Sequence, residues 1–259
     1  MPSRSIALAL LGAIFHAVPC LAGELFVGAA ASLRAPVQEI ARDFEAQNRG
    51  TRVRVSFGAS SHLARQIQLG APLDVFISAD AKWVAGLVDR GLVEPGDDFQ
   101  LAGNRLVVVA ASDREIEVRN AHDLLDTSVE SIALPGAAVP LGGYARQWLE
   151  TTGLLRALTP RLVVTEHARA SVVAVDQRHA AAAIVYATDA RQARASRVVY
   201  VIPESEQPSI VYAAALTRQG RNSSDAHGFY RFLMGPDAGR ALEAAGFLVP
   251  DRASRESAE

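Results

Sequence analysis

A chain of 259 residues that is 49% hydrophobic can bury a sizeable core and suits one large domain or two ordinary ones, which excludes disorder over most of its length. Lys plus Arg number 26 against Asp plus Glu 28, so the balance gives no general affinity for nucleic acid or an anionic membrane surface. An anionic ligand would have to be met locally.

The N-terminus, MPSRSIALALLGAIFHAVPCLAGE, has a basic start at Arg4, an apolar run from Ile6 to Val18 and then small residues. This is the pattern of a secretory signal peptide over residues 1–22, with cleavage expected after Ala22. The apolar run is short for a membrane span, and no later stretch reaches the roughly 20 apolar residues that a span needs. The single cysteine, Cys20, falls inside this segment, so a chain cut there can form no disulfide. Lipid anchoring through Cys20 is the competing reading, and Ala17-Val18-Pro19 is a poor small-residue lead for it.

From Glu24 short β-branched runs alternate with amphipathic helical ones, which predicts an α/β fold with mainly parallel sheets. Strands are expected at 25–27, 53–57, 74–77 and 106–110, with helices at about 33–47, 62–69 and 81–90. Asp80 suits the N-cap of the third helix, and Gly50, Gly70 and Gly91 fall just past helix ends. After Ala110 the polar connector SDREIEVRN leads to a second series, with strands at 131–134, 161–165, 183–186 and 198–202 and helices around 144–151 and 168–178. A strand at 210–216 and two helices, 227–233 and 236–245, complete the pattern. Two lobes follow from this count: 23–109 with 213–250 as the first, 110–212 as the second, and 251–259 as a frayed tail. In open α/β sheets, ligands collect at the carboxyl ends of strands, so the crevice between lobes is the expected site.

Two junctions stand out. LFVGAA runs into Ala31-Ser32 before a helical pattern, and VRVSFG runs into Ala59-Ser60-Ser61 before another. The first four N–H groups of a helix have no partner within it, and the macrodipole adds roughly half a positive charge there. Serine at such a place is often only a cap, but two strand-to-serine-to-helix junctions in one lobe suit a small anion. Tyr186 ends an apolar strand and can either pack its ring or present its hydroxyl. Gly142-Gly143 suits a flexible turn or a close backbone approach to a ligand, and the second is preferred. Asp74, Asp80 and Asp189 are read as caps and lobe-closing groups, since a carboxylate facing an anion would oppose binding. The histidines lack metal-ligand spacing, which makes His62, His167 and His179 surface or helix-start residues.

The runs GAAASLRAPVQEIARDFE, SFGASSHLARQIQLGAPLDVFISADAKW, GNRLVVVA, VPLGGYARQWL, AIVYATDA and GFYRFLMGPDAGRALEAAGF resemble, in that order, the periplasmic molybdate-binding proteins of ABC transporters. The resemblance covers nearly the whole chain beyond the leader and implies the two-lobed type II periplasmic binding protein fold, each lobe a mainly parallel sheet flanked by helices, with the ligand in the cleft between them. It also implies a shell of Ser32 and Ser60 from the first lobe, the backbone N–H groups of Leu141 and Ala168, and the hydroxyl of Tyr186. These would hold the oxygens of molybdate or tungstate rather than the metal atom. Leu141 stands where a small residue is usual and Ala59 where a serine is usual, which bears on pocket shape and ion selectivity. The shell offers only donors, which suits a fully deprotonated dianion. Size would then separate molybdate from sulfate.

The resemblance implies a periplasmic location after removal of the leader, with the oxyanion and an inner-membrane permease as partners and hinge closure of a monomer around the ion. No cofactor, catalytic residue or nucleic acid is expected. Two rivals remain: the same fold serving sulfate or a small organic anion, and a secreted serine hydrolase using Ser60 and His62, which lacks the GxSxG elbow and the SxxK pattern.

Overall fold

The alternation of β-branched and amphipathic runs produces two five-stranded sheets, each flanked by helices, in a computed structural model that describes residues 23–250. The leader at 1–22, Cys20 within it and the tail at 251–259 lie outside the described residues. In chain order the elements are β1 (Gly23–Ala30), α1 (Arg34–Gln47), β2 (Thr51–Gly58), α2 (Ser60–Gln68), β3 (Val75–Ser78), α3 (Ala81–Val88), β4 (Val93–Gly103) and β5 (Leu106–Ala111). There follow β6 (Ile132–Pro135), α4 (Pro140–Thr151), α5 (Leu155–Leu158), β7 (Leu162–Thr165), α6 (Ala168–Asp176), β8 (Ala182–Tyr186), α7 (Ala187–Ala190) and β9 (Ser196–Val201). The chain ends in β10 (Val211–Thr217), α8 (Ser224–Met234) and α9 (Pro236–Ala244). Among the described residues no helix is long and apolar enough to cross a membrane.

The first sheet runs β2-β1-β3-β10-β4 and the second β7-β6-β8-β5-β9. Both are mixed where the sequence pattern predicts mainly parallel strands. β1 is parallel to β2 and β3, and β6 to β7 and β8, as helical crossovers require. The antiparallel pairs come from the strands beside the two passages between sheets: β10 with β3 and β4, and β5 with β8 and β9. The 106–110 strand, expected to close the first series, therefore pairs wholly within the second sheet. The chain has already left the first sheet at Gly103, where β4 ends.

Burial follows the periodicity. α1 turns Val37, Ile40, Ala41 and Phe44 inward, and α8 and α9 return to it, with Phe44 edge-on to Phe229 at 5.2 Å and to Phe232 at 5.5 Å between ring centroids. Gly70, just past α2, takes φ +89°, which a residue with a Cβ rarely adopts. One continuous apolar core joins the inner faces of both sheets and includes Leu33, Leu106, Leu134, Tyr186 and Tyr212. The chain passes between the sheets twice, at 104–105 and at 202–210. These are bound to each other by Gln207: its Oε1 accepts from the Leu106 N–H at 2.8 Å, and its Nε2 donates to the carbonyls of Leu106 and Ile202, both at 2.9 Å.

Candidate functional site: a donor-lined cavity at six strand ends

One cavity lies where the carboxyl ends of six strands converge. From the first sheet it is lined by Ala30 to Ser32 after β1, Gly58 to Ser60 after β2 and Ala79 after β3. From the second come Val139 to Leu141 after β6, His167 and Ala168 after β7, and Tyr186 at the end of β8. Ser32, Ser60, Leu141, Ala168 and Tyr186 thus border the same enclosure, although they lie far apart in the sequence. The space open to the centre of a water-sized sphere is only about 10 Å³. That is the scale of one compact solute, far below the roughly 300 Å³ at which pockets for organic ligands begin.

Two helix starts at this cavity carry no side-chain cap. Ala59 precedes α2 and Val139 precedes α4, and neither has a side chain that can satisfy a first-turn N–H. Pro140 at the first position of α4 contributes no N–H, so the nearest free donors there lie at Leu141 and beyond. At α6, His167 caps by accepting from the Ala170 N–H at 3.1 Å through Nδ1, which leaves the Ala168 N–H open and places the ring proton on Nε2. Burial lowers the His167 pKa, favouring that neutral form.

The hydroxyls are donors too. Ser60 is fully buried, and its Oγ accepts from the Ala79 N–H at 3.0 Å, so its own proton remains available. Ser32 is buried with its Oγ 3.0 Å from the Tyr212 hydroxyl. Tyr186 is 1% exposed and its hydroxyl has no partner among the described residues. Burial, with nearby Tyr212, Tyr144, Asp189 and Asp80, drives its pKa well above the usual phenol value, so it keeps its proton.

Among the described residues no Asp, Glu, Lys or Arg lines the cavity. Asp80 is occupied elsewhere, capping α3 by accepting from the Lys82 N–H at 3.0 Å and pairing with Lys82 Nζ at 2.6 Å. Asp74 accepts from the Phe26 N–H at 2.8 Å, tying the loop before β3 to β1. Asp189 is buried without a partner among the described residues, and burial raises its pKa to about 7. No group of three or more His, Cys, Asp or Glu side chains able to hold a metal ion occurs among the described residues.

One expectation needs correcting and one needs extending. Gly142 and Gly143 lie in the first turns of α4 rather than in a flexible turn. The close approach at Gly142 is to the protein itself, since a Cβ there would stand 2.2 Å from the Gly136 carbonyl oxygen and 2.5 Å from that of Pro135. His167 is a helix-start residue as expected, capping α6, and it also borders the cavity. Sequence reasoning also passed over Tyr212, Asn104 and Thr188, which form a buried polar group next to Ser32. Their only signal was polar residues flanking apolar runs.

The family described as bacterial extracellular solute-binding protein matches residues 25–248, almost all of the described chain. The chain belongs to that family. Its function is solute binding outside the cytoplasm, with no enzymatic activity. The molybdate-binding protein ModA of Escherichia coli is 36% identical over 233 residues, covering 88% of this chain and 90% of the relative. The molybdate-binding protein ModA of Haemophilus influenzae is 31% identical over 253 residues, covering 95% and 96%. The periplasmic molybdate-binding protein of Azotobacter vinelandii superposes with a TM-score of 0.78 at 26% identity, covering 88% of this chain and all of that one. The two-sheet architecture of this solute-binding protein is therefore that of the periplasmic binding proteins.

Proposed function

We propose that this protein binds molybdate, and tungstate with it, in the cavity between its two sheets and passes the ion to the permease of an ABC transporter. The observation that carries the reading is the chemistry of the lining. Six strand ends deliver hydroxyls and unsatisfied helix-start N–H groups, with no carboxylate among them. A tetrahedral dianion has only acceptors, and donors fixed in advance by the backbone lose little entropy on binding it. Relatives named for molybdate, matched over most of their length, support the choice of ion.

In this reading Ser32 and Ser60 donate through hydroxyl and backbone, Leu141 and Ala168 through backbone N–H, and Tyr186 through its hydroxyl. The buried Leu141 side chain limits the volume on its side of the ion without removing a donor. Molybdenum is held through its oxygens, and no protein atom ligates it. The lobes are the bodies of the two sheets, with the helices after β10 completing the first, and they close about the crossings near Asn104 and Gln207 with the ion bridging them. The protein works in the periplasm as a monomer after removal of its leader.

Calorimetric titration with molybdate, tungstate, sulfate and phosphate in one buffer tests this. Saturable, tight binding of the first two and weak or absent binding of the others is expected. Binding of none of the four would remove the assignment and leave only the fold.

A further inference from the structure

Next to Ser32 is a buried hydrogen-bonded chain that takes no part in lining the cavity. Tyr212 on β10 has its hydroxyl 3.0 Å from Ser32 Oγ. Asn104, in the crossing between β4 and β5, donates from Nδ2 to Tyr212 Oη at 3.2 Å and to Thr188 Oγ1 at 2.9 Å. Its Oδ1 accepts from the Arg105 N–H at 2.9 Å. Ser32, Asn104, Thr188 and Tyr212 are all at most 5% exposed, so bulk water does not compete for these bonds.

We propose that Asn104 and Tyr212 are positioning residues that fix the direction of this chain, so that the Ser32 hydroxyl can only donate toward the ligand and the site selects fully deprotonated anions. The inference rests on the oxyanion reading of the cavity and deepens it. A backbone N–H can only donate, so Arg105 requires the carbonyl end of the Asn104 amide and turns the NH2 end toward Tyr212 and Thr188. Tyr212 Oη then accepts from Asn104 and gives its single proton to its other polar neighbour, Ser32 Oγ. Ser32, accepting from Tyr212, has its own proton left for the cavity. Protons therefore run one way, from the crossing to the ligand. Burial holds the Tyr212 pKa far above the usual phenol value, so the relay does not lose its proton. A hydroxyl on the ligand, as in hydrogen phosphate, would meet the Ser32 proton instead of a lone pair.

The test is a double-mutant cycle read by titration with molybdate and with phosphate at pH 8, where both carry about the same charge. Ser32→Ala is expected to weaken molybdate binding about tenfold or more, as the loss of a bond to a charged group does. Tyr212→Phe keeps the ring that packs on Tyr186 and Phe247 and is expected to weaken molybdate binding by several-fold, while phosphate is affected less because the freed Ser32 hydroxyl can now accept. In the Ser32→Ala background Tyr212→Phe should add almost nothing. Additive losses, or an unchanged molybdate-to-phosphate ratio in Tyr212→Phe, would overturn the relay. Asn104→Asp gives an independent arm that does not depend on the Tyr212 variants folding. It keeps an acceptor for Arg105 and replaces the donor with an acceptor, so the chain reverses. Molybdate affinity should fall at least tenfold and phosphate affinity by less, whereas equal losses for both ions would mean a plain charge effect and no relay. A parent protein that does not bind molybdate, or a neutral Ser32→Ala, would reject the oxyanion site itself. A sensitive Ser32 with an additive Tyr212 would reject the relay alone.

Discussion

Two helix starts at the cavity, α2 and α4, can be set against two away from it, α3 and α8, although α5 and α9 also lack a side-chain cap without lining the cavity. Away from the cavity, α3 and α8 are closed by side chains: Asp80 accepts from the Lys82 N–H at 3.0 Å and Ser223 from the Ala226 N–H at 3.2 Å. At the cavity, α2 and α4 follow Ala59 and Val139 and have no such cap. A good N-cap stabilises a helix by about 1 kcal/mol, so leaving these two open costs stability where nothing local restores it. What the open starts retain is a set of unsatisfied donors aimed at one point. α6 stands between the groups, because His167 closes its third N–H and leaves the first.

This contrast is broken most sharply at Ala168. It is the first residue of α6, a position where proline fits, and His167 before it is already extended at φ −157° and ψ 173°. Ala168→Pro removes one N–H and little else, so molybdate binding should weaken by about 2 to 3 kcal/mol in titration with a nearly unchanged melting temperature. A parent-like affinity would remove Ala168 from the shell. Ser60→Ala deletes a donor and also leaves the Ala79 N–H without its 3.0 Å acceptor, so binding should fall by about 1 to 3 kcal/mol together with a measurable loss of stability.

Asp189 probes the buried surroundings of Tyr186. Its pKa is raised from 3.8 to about 7 by burial, so the folded chain holds this proton more tightly than the unfolded one. The associated stability is fully present below pH 3.8 and is lost as the pH rises through 7. Asp189→Asn should therefore gain about 1 to 2 kcal/mol on the parent between pH 5 and pH 8 in denaturant unfolding. A difference that stays flat with pH would place the carboxylate in contact with water or a cation. The smallest effect is the control: Ser223→Ala should cost about 1 kcal/mol of stability and leave every anion affinity unchanged, since no residue of α8 lines the cavity.

Much of this was legible in the residues. Helices with a clear apolar stripe, such as α1 with Val37, Ile40 and Phe44, were predicted near their observed bounds because burial and periodicity agree. The two serine junctions were visible because each combines an apolar strand, small residues and an amphipathic helix. β4 was missed because Pro95, Gly96, Asp97 and Asp98 are turn residues, and tertiary pairing with the buried β10 overrides them. The sheet membership of β5 could not be read from its own sequence. LVVVAA is buried on both faces and would suit either sheet, and only its partners β8 and β9 decide. The Asn104 and Tyr212 chain was hidden for a related reason: its bonded side chains lie 84, 108 and 180 positions apart, and direction in a hydrogen-bonded chain is a property of the whole set.

The Gln207 amide gives the two crossings a shared mechanical identity. Two independent strands would let the lobes gape, slide and twist. With one side chain accepting from Leu106 N–H and donating to the carbonyls of both Leu106 and Ile202, the strands are laminated like the leaves of a single spring. Under the proposed closure such a spring would make the two crossings bend together, so the serines and the helix starts on opposite walls would approach as a set.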